Sequence, residues 1–337
     1  MASLRNKLPE PKDVGALDAR LCDSVLRSLS QFATGSKSRI CVGYSGGLDS
    51  TVLLHVLSEA RRSAAFELSA LHVHHGLSSN AATWVRHCRA VCRELNVPFR
   101  LRRVAVVRAA QTSLEEEARR ARYAAMSSTR ADVIALAHHA DDQAETVLLQ
   151  LLRGAGPKGL SGMAPLKVLG FGVNQRLPVW RPLLGCTRAE LLRYAVNKGL
   201  GWIGDESNLD VRFKRNFIRR EVMPVLARGF PATVETLARA ARHLAESTEL
   251  VEMLADMDLA RARLASGLDV AVLKAMADVR LKNVLRRWLD LQHLRQPSEA
   301  RLLALLRALR QSSNDTRLAW EHDGRTVQRS KGLLHCT

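Results

Sequence analysis

Residues 45–50 read Ser-Gly-Gly-Leu-Asp-Ser, just after an apolar run, Ile40–Tyr44. Two glycines between serines, followed by a helical pattern, place backbone N–H groups at a helix N-terminus. An anion is drawn there by the helix dipole, and small residues let it approach the backbone. Ser45 and Ser50 add hydroxyl donors. Asp49 does not suit a bare phosphate, since like charges repel. It suits a Mg²⁺ ion that accompanies a nucleotide, or a helix cap. A Ser-capped helix after a Gly-Gly turn is the plainer reading, and the residue types leave both open. The stretch is not a Walker A loop, because no G-x-x-x-x-G-K-[ST] occurs in the chain.

A second group lies at 137–154, A-H-H-A-D-D-Q-A-E-T-V-L-L-Q-L-L-R-G. Asp142 and Glu145 are three apart near a helix start that follows a strand end, so both carboxylates can face one cleft. His138 and His139 stand just before them. A His/Asp metal site is one reading, and carboxylates that hold a cationic amine and order Mg²⁺ are another. First-turn helix acids beside packed histidines remain the bland alternative. A third group, S-L-E-E-E-A-R-R-A-R-Y (113–123), has Ser113 as N-cap and acids in its first turn. Arg119 and Arg122 share a face there. Read plainly, this is a surface helix with a Glu115–Arg119 pair, worth only about a few tenths of a kcal/mol.

The elements around these groups alternate. Strand-like runs are Ile40–Tyr44, Leu68–Val73, Phe99–Val107 and Asp132–Ala137; helical patterns fall near 50–61, 80–95, 113–129 and 142–152. That order predicts an α/β fold with a doubly wound parallel sheet, whose ligands sit outside the carboxyl ends of the strands. The stretches 45–50, 72–77 and 137–142 all fall at such ends. A Gly-rich segment (154–163) and a less regular region with Arg181-Pro182-Leu183-Leu184 follow. Then come a helix near 187–199, a loop at 204–208 and the run F-K-R-N-F-I-R-R (213–220). Beyond about 218 the pattern turns to Leu/Ala/Arg helices (232–265, 270–292, 298–311). Asp323-Gly324 predicts a type I′ hairpin, and Ser330-Lys331-Gly332 a second turn. We expect an arm at 1–36, an α/β domain at 37–217 and a mostly helical domain with a small β end at 218–337.

Lys and Arg number 51 against 33 Asp and Glu, a net charge of +18. Such an excess suits a polyanionic partner through phosphate contacts, or reflects Arg-rich soluble surfaces. Aromatics make up 4% of the chain, which points to charge more than stacking for holding a nucleic acid. Six cysteines include no C-x-x-C pair, and Cys88 and Cys92, four apart, read as one partly buried helix turn. No apolar stretch has signal-peptide or membrane-spanning character, so a cytosolic protein is expected.

S-G-G-L-D-S resembles the PP-loop of the N-type ATP pyrophosphatases, which split ATP into AMP and pyrophosphate. Together with H-H-G-L (74–77), S-L-E-E-E-A-R-R-A-R-Y, H-H-A-D-D-Q-A-E-T-V-L-L-Q-L-L-R-G-A-G-P-K-G-L-S-G-M (138–163), R-P-L-L (181–184) and D-E-S-N…K-R-N-F-I-R-R (205–220), it is similar to the tRNA(Ile)-lysidine synthetases. The likeness covers about 37–220, and more loosely the helices after it. Two departures stand out: Ser78 where many relatives carry Arg, and Tyr44 where a small residue is usual. The chain also stops short of the further C-terminal domain of longer members, which implies a smaller grip on RNA.

The resemblance implies adenylation of the C2 oxygen of the wobble cytidine in tRNA(Ile) with a CAU anticodon, and displacement of AMP by the ε-amine of free lysine. It implies ATP and Mg²⁺ as cofactors, no membrane, and possible pairing of two copies. It gives the phosphates to Ser45, Gly46, Gly47, Leu48 and Ser50, with Asp49 on Mg²⁺ and His138 positioning the nucleotide. Asp142 and Glu145, with Arg122, would bind lysine; Arg119 and Arg215 would neutralise charge. Lys158, Arg219, Arg286 and Arg287 would meet the RNA. An RNA thiolase of the same superfamily, a non-catalytic tRNA-binding protein and an amidotransferase-type synthetase are the rival readings. Sulfur-handling routes ask for cysteines at a spacing this chain lacks.

Overall fold

A computed structural model describes residues 14–29, 38–74, 76, 80–105, 114–170, 176–204, 210–312 and 318–337. His75, Leu77 and Ser78, the expected N-cap Ser113, and the stretch Asp205-Glu206-Ser207-Asn208 lie outside them. The chain divides into two compact units, Met1–Arg242 and His243–Thr337.

Unit 1 runs α1 (Val14–Leu29), β1 (Ser38–Gly43), α2 (Leu48–Ala60), β2 (Phe66–His74), α3 (Ala81–Glu94), β3 (Phe99–Arg103), α4 (Leu114–Ser127), β4 (Val133–Ala135), α5 (Ala140–Leu151), α6 (Pro157–Leu160), β5 (Leu166–Gly170), β6 (Arg176–Trp180) and α7 (Arg188–Asn197). After these come α8 (Lys214–Phe217), a π-helical turn (Ile218–Val222), α9 (Met223–Gly229) and the first part of α10 (Thr233–Ala262). The sheet order is β3-β2-β1-β4-β6-β5. Every pair is parallel except β5 with β6.

This is the expected doubly wound sheet, with an addition. β5 and β6 occupy what reads as an irregular stretch, because Pro178 and flanking basic residues disguise the strand. β6 pairs Val179 with Ile134, and Pro178 lies just before that pairing with β4 begins. β3 also ends at Arg103, earlier than the apolar run predicts.

Alternation along β1 divides the core. Ile40 and Val42 join α1, α2, α3 and α7 on one face, including Val52, Leu53, Leu57, Cys88 and Leu191. Cys41 faces the other way, with Tyr123 and Met126 of α4 and Ile134 of β4. The order reverses between β1 and β4, so the loops leaving these two neighbouring strands flank one crevice.

Unit 2 holds the rest of α10, β7 (Arg263–Leu264), β8 (Gly267–Asp269), α11 (Val270–Ala275), α12 (Asp278–Leu291), α13 (Glu299–Gln311), β9 (Ala319–His322), β10 (Arg325–Ser330) and β11 (Leu333–Cys336). The continuous helix read over 270–292 is broken: Met276 and Ala277 are extended, and α12 starts afresh after Ala277. The β end exceeds a hairpin, forming a five-stranded sheet ordered β7-β8-β11-β10-β9. Asp323 and Gly324 both have positive φ, 50° and 76°, as a type I′ turn requires. Among the described residues no helix is long and apolar enough to cross a membrane.

Candidate active site

The loop after β1 turns on two glycines with different tasks. Gly46 has φ +86°, and a Cβ there would sit 2.8 Å from Cys88 Sγ and 3.1 Å from Ile203 Cδ1. Only glycine serves that position without strain. Its carbonyl accepts a hydrogen bond from Ile203 N at 2.9 Å, which fixes the loop to the chain after α7. Gly47 caps α2 with ordinary extended φ and ψ, and a Cβ there would meet nothing closer than 3.5 Å. Ser45 and Ser50 hydroxyls lie 3.0 Å apart, and Gly47 N donates to Ser45 Oγ at 3.3 Å. Ser50 also donates to Gly47 O at 3.1 Å. Leu48 is buried beneath the loop. Tyr44, unusual before such a loop, turns into the core, with Oη 3.4 Å from Thr51 Oγ1.

The loop after β4 supplies the other half. His139 caps α5 in an extended conformation, and Asp142 closes a capping box by accepting from His139 N at 3.1 Å. The buried imidazole of His139 lies 3.6 Å from Asp49, 3.4 Å from Asp141 and 3.5 Å from Asp142. Burial alone would push this imidazole down. The carboxylates of Asp141, Asp49 and Asp142 outweigh burial and lift it to about 10, so it is charged at neutral pH. At its neighbour His138 burial dominates: it outweighs the pull of Asp142, is aided by the charges of Arg181, Arg215 and Arg119, and takes the imidazole down to about 3. His138 Nδ1 is buried with no hydrogen-bond partner among the described residues.

Asp142 and Glu145, buried on α5, meet two arginines about 70 residues further along. Arg215 places Nε 2.8 Å from Glu145 Oε2 and Nη2 2.9 Å from Asp142 Oδ1. Arg219 adds Nε to Glu145 Oε1 at 2.6 Å and Nη2 to Asp142 Oδ1 at 3.1 Å. The two sit on α8 and the π-helical turn, four apart. Burial would raise the Asp142 carboxyl, but the charges of His139 and Arg215 hold it below the usual carboxylate range. Counting groups in direct contact, four carboxylates (Asp49, Asp141, Asp142, Glu145) meet three cations (His139, Arg215, Arg219). A cationic ligand suits that balance.

Of the residues singled out in the sequence, Asp49, Asp142, Glu145, Arg215 and Arg219 converge. Arg119 lies on α4 with its guanidinium 5.1 Å over the Tyr123 ring, and its charge is felt at His138. Arg122 and Lys158 are exposed. In unit 2, Arg286 is exposed, while Arg287 is gripped by Asp256 at 2.8 and 2.9 Å. Asp141 and the tying role of His139 are not readable from spacing, because the contacts depend on where the β1 loop lands. Arg181 is another buried contributor, donating to Ala164 O at 2.8 Å behind the Gly-rich segment. Gln143 and Met163 exchange two hydrogen bonds, 2.8 and 3.0 Å, over Gly162, where a Cβ would strike the amide at 2.7 Å.

Asp49 Oδ1 is buried with no hydrogen-bond partner among the described residues, an acceptor that suits a hard cation. Among the described residues no three His, Cys, Asp or Glu form a protein cage for a metal. One or two carboxylates are what Mg²⁺ takes when substrate phosphates complete its shell, so the residues fit that ion. A cavity of about 710 Å³ between α1 and α7, lined by Arg20, Arg27, Glu190 and Arg193, includes no residue of either loop.

The PP-loop domain family matches residues 22–226, and the TilS substrate binding domain family matches 268–335. The chain belongs to the tRNA(Ile)-lysidine synthase family. It is 40% identical over 296 residues to the tRNA(Ile)-lysidine synthase of Nitrosomonas europaea, covering 88% of this chain and 64% of that one. The corresponding enzyme of Chromobacterium violaceum is 45% identical over 267 residues, covering 79% and 60%. That of Pseudomonas aeruginosa is 44% identical over 308 residues, covering 87% and 68%. The chain thus spans about two thirds of the length of these relatives or somewhat less. Among solved structures, the U34-tRNA thiolase NcsA of Methanococcus maripaludis superposes with a TM-score of 0.56 at 16% identity, covering 68% of this chain and 80% of that one. That likeness concerns the fold.

Proposed function

We propose that this chain ligates free lysine to C2 of the wobble cytidine of tRNA(Ile) with a CAU anticodon, at the expense of ATP. The observation that carries the reading is that one imidazole, His139, touches both the loop acid Asp49 and the α5 acid Asp142. A phosphate cradle and an amine-binding pair therefore border one crevice. The family and the named relatives supply the chemistry that such a crevice would perform.

In this reading the backbone N–H groups at Gly46, Gly47 and Leu48 and the hydroxyls of Ser45 and Ser50 hold the ATP phosphates at the start of α2. His138, kept neutral, directs its free ring nitrogen at the nucleotide. Asp49 would hold Mg²⁺, which supplies positive charge to the departing pyrophosphate. The cytidine C2 oxygen attacks the α-phosphate, and pyrophosphate leaves. Arg119 balances charge at this centre. The lysine Nε then attacks C2, and AMP departs with the former C2 oxygen. An amine of ordinary pKa near 10.4 must lose a proton first. Asp142 and Glu145 hold and orient the ammonium; Asp142, kept ionised, is a weak base, so the proton lost as the amine attacks passes on to water. Arg215 fixes these two carboxylates, and Arg122 is placed to meet the lysine carboxylate.

Residues 37–217 form the catalytic domain and 218–337 the RNA-holding domain in this account, with Lys158 and Arg286 toward the tRNA, while Arg219 stays on Asp142 and Glu145 and Arg287 on Asp256. The enzyme would work in the cytoplasm. Two copies would pair through the exposed apolar stripe of α10, Leu250, Met253, Leu254 and Met257.

The thiolase reading has less support. Burial pushes the Cys88 and Cys92 thiols up to about 12, which suits packing and not sulfur transfer. The test is order of addition. Pyrophosphate release should require tRNA and ATP, whereas transfer of radiolabelled lysine should require all three substrates. Pyrophosphate release without labelled lysine in the tRNA would point to another nucleophile.

A further inference from the structure

The turn that carries Arg215 and Arg219 has a second face, to which the chemistry above gives no task. Phe213 and Phe217 lie one helical turn apart, and Phe217 N donates to Phe213 O at 2.9 Å. They are 39% and 49% exposed, in a chain with only seven phenylalanines. Residues two apart on a helix point to nearly opposite sides. One side of this turn therefore grips Asp142 and Glu145 while Phe217 points away from it, and Phe213, the extended N-cap residue of α8, is exposed as well. Lys214 and Arg220, near the two phenylalanines in sequence, are exposed, and among the described residues no acid pairs with either.

Exposed aromatic rings interleaved with unmatched cations are the composition that binds single-stranded nucleic acid. Rings stack on any base through its π-face, and the cations meet the phosphates on either side. A purely apolar partner would gain nothing from the lysine and arginine. The rings sit about one helix diameter, roughly 10 Å, from the carboxylates. That distance suits a nucleotide next to the reacting one.

We infer that Phe213 and Phe217 form a stacking platform for an unpaired base of the RNA loop flanking the reacting cytidine. This rests on the proposed function and adds to it. The rings hold a neighbour out of its stack, which frees the target base to reach the crevice. They touch neither ATP nor lysine.

The experiment uses the full chain and an anticodon stem-loop RNA with 2-aminopurine in turn at each loop position beside the cytidine. Stacking on the protein changes 2-aminopurine fluorescence at one of these positions. In F213A/F217A that change should disappear, and RNA affinity should fall by about tenfold or more. F213W/F217W should restore both, and ATP affinity should be unaltered in every variant, which shows that the fold persists. Unchanged RNA affinity and fluorescence in F213A/F217A, with lysidine still formed by the parent chain, would overturn the platform and leave the function standing. A parent chain that does not bind the stem-loop would overturn both. A shift in oligomeric state of F213A/F217A with unaltered RNA affinity would make the face a protein contact and overturn the inference.

Discussion

Asp49 and Asp142, 93 residues apart in sequence, lie 3.6 and 3.5 Å from the same His139 Nε2. The loop that would hold phosphate and the helix that would hold an amine are thereby fixed to one another by a single charged ring.

The first prediction concerns pH. His139 has a folded pKa of about 10 against an ordinary 6.5, so its stabilisation is complete below about pH 6.5 and is lost as pH rises through about 10. Thermal unfolding from pH 6 to 10.5 should show an alkaline decline that H139Q flattens. Asp142 has the opposite sign. Its folded pKa is depressed, so its contribution holds above the ordinary carboxylate range and fades as pH falls through the folded value. Identical alkaline arms in the parent and H139Q would remove the imidazolium from the account.

The two loop glycines should behave differently. G46A forces a side chain into positive φ and onto Cys88, and should cost on the order of 1–3 kcal/mol, with loss of ATP binding. G47A meets no neighbour within 3.4 Å, so unfolding should move by less than about 0.5 kcal/mol. Denaturant titration of both variants checks the contrast.

Removing one partner from the α5 network strands a charge on buried carboxylates, a change that costs roughly 3–5 kcal/mol for fully buried pairs. R219A should approach that figure in urea unfolding, somewhat reduced because the arginine is partly exposed. E145Q/R219Q should recover part of the loss. For activity, D49A should abolish adenylation, whereas E145A should slow lysine transfer more than pyrophosphate release. Single-turnover assays separate the two steps.

Arg286 and Arg287 are neighbours with different surroundings. R286A should leave Tm unaltered and lower the salt dependence of tRNA binding by about one charge. R287A breaks the fork with Asp256 and should lower Tm first. Equal effects on Tm would contradict this division.

Much of the site was legible because its halves are local. Residues 45–50 contain strand end, turn and helix start together, and Asp142 and Glu145 are spaced to share a face. The chain order of alternating elements likewise reads as a parallel sheet. What escaped is long-range or disguised. Nothing near Glu145 announces that Arg215 and Arg219, some 70 residues away, will meet it, and Pro178 hides β6. The break at Met276-Ala277 is set by α11 packing through Leu273 while α12 packs through Leu281 and Leu285, which Leu/Ala-rich periodicity does not reveal.

The most direct test of the account is mass analysis of nucleosides from CAU-anticodon tRNA(Ile) incubated with this chain, ATP, Mg²⁺ and lysine. The account predicts that the wobble cytidine is converted to lysidine and that omitting ATP or lysine leaves it unmodified. Cytidine recovered intact with all substrates present, or a thiolated base in its place, would contradict it.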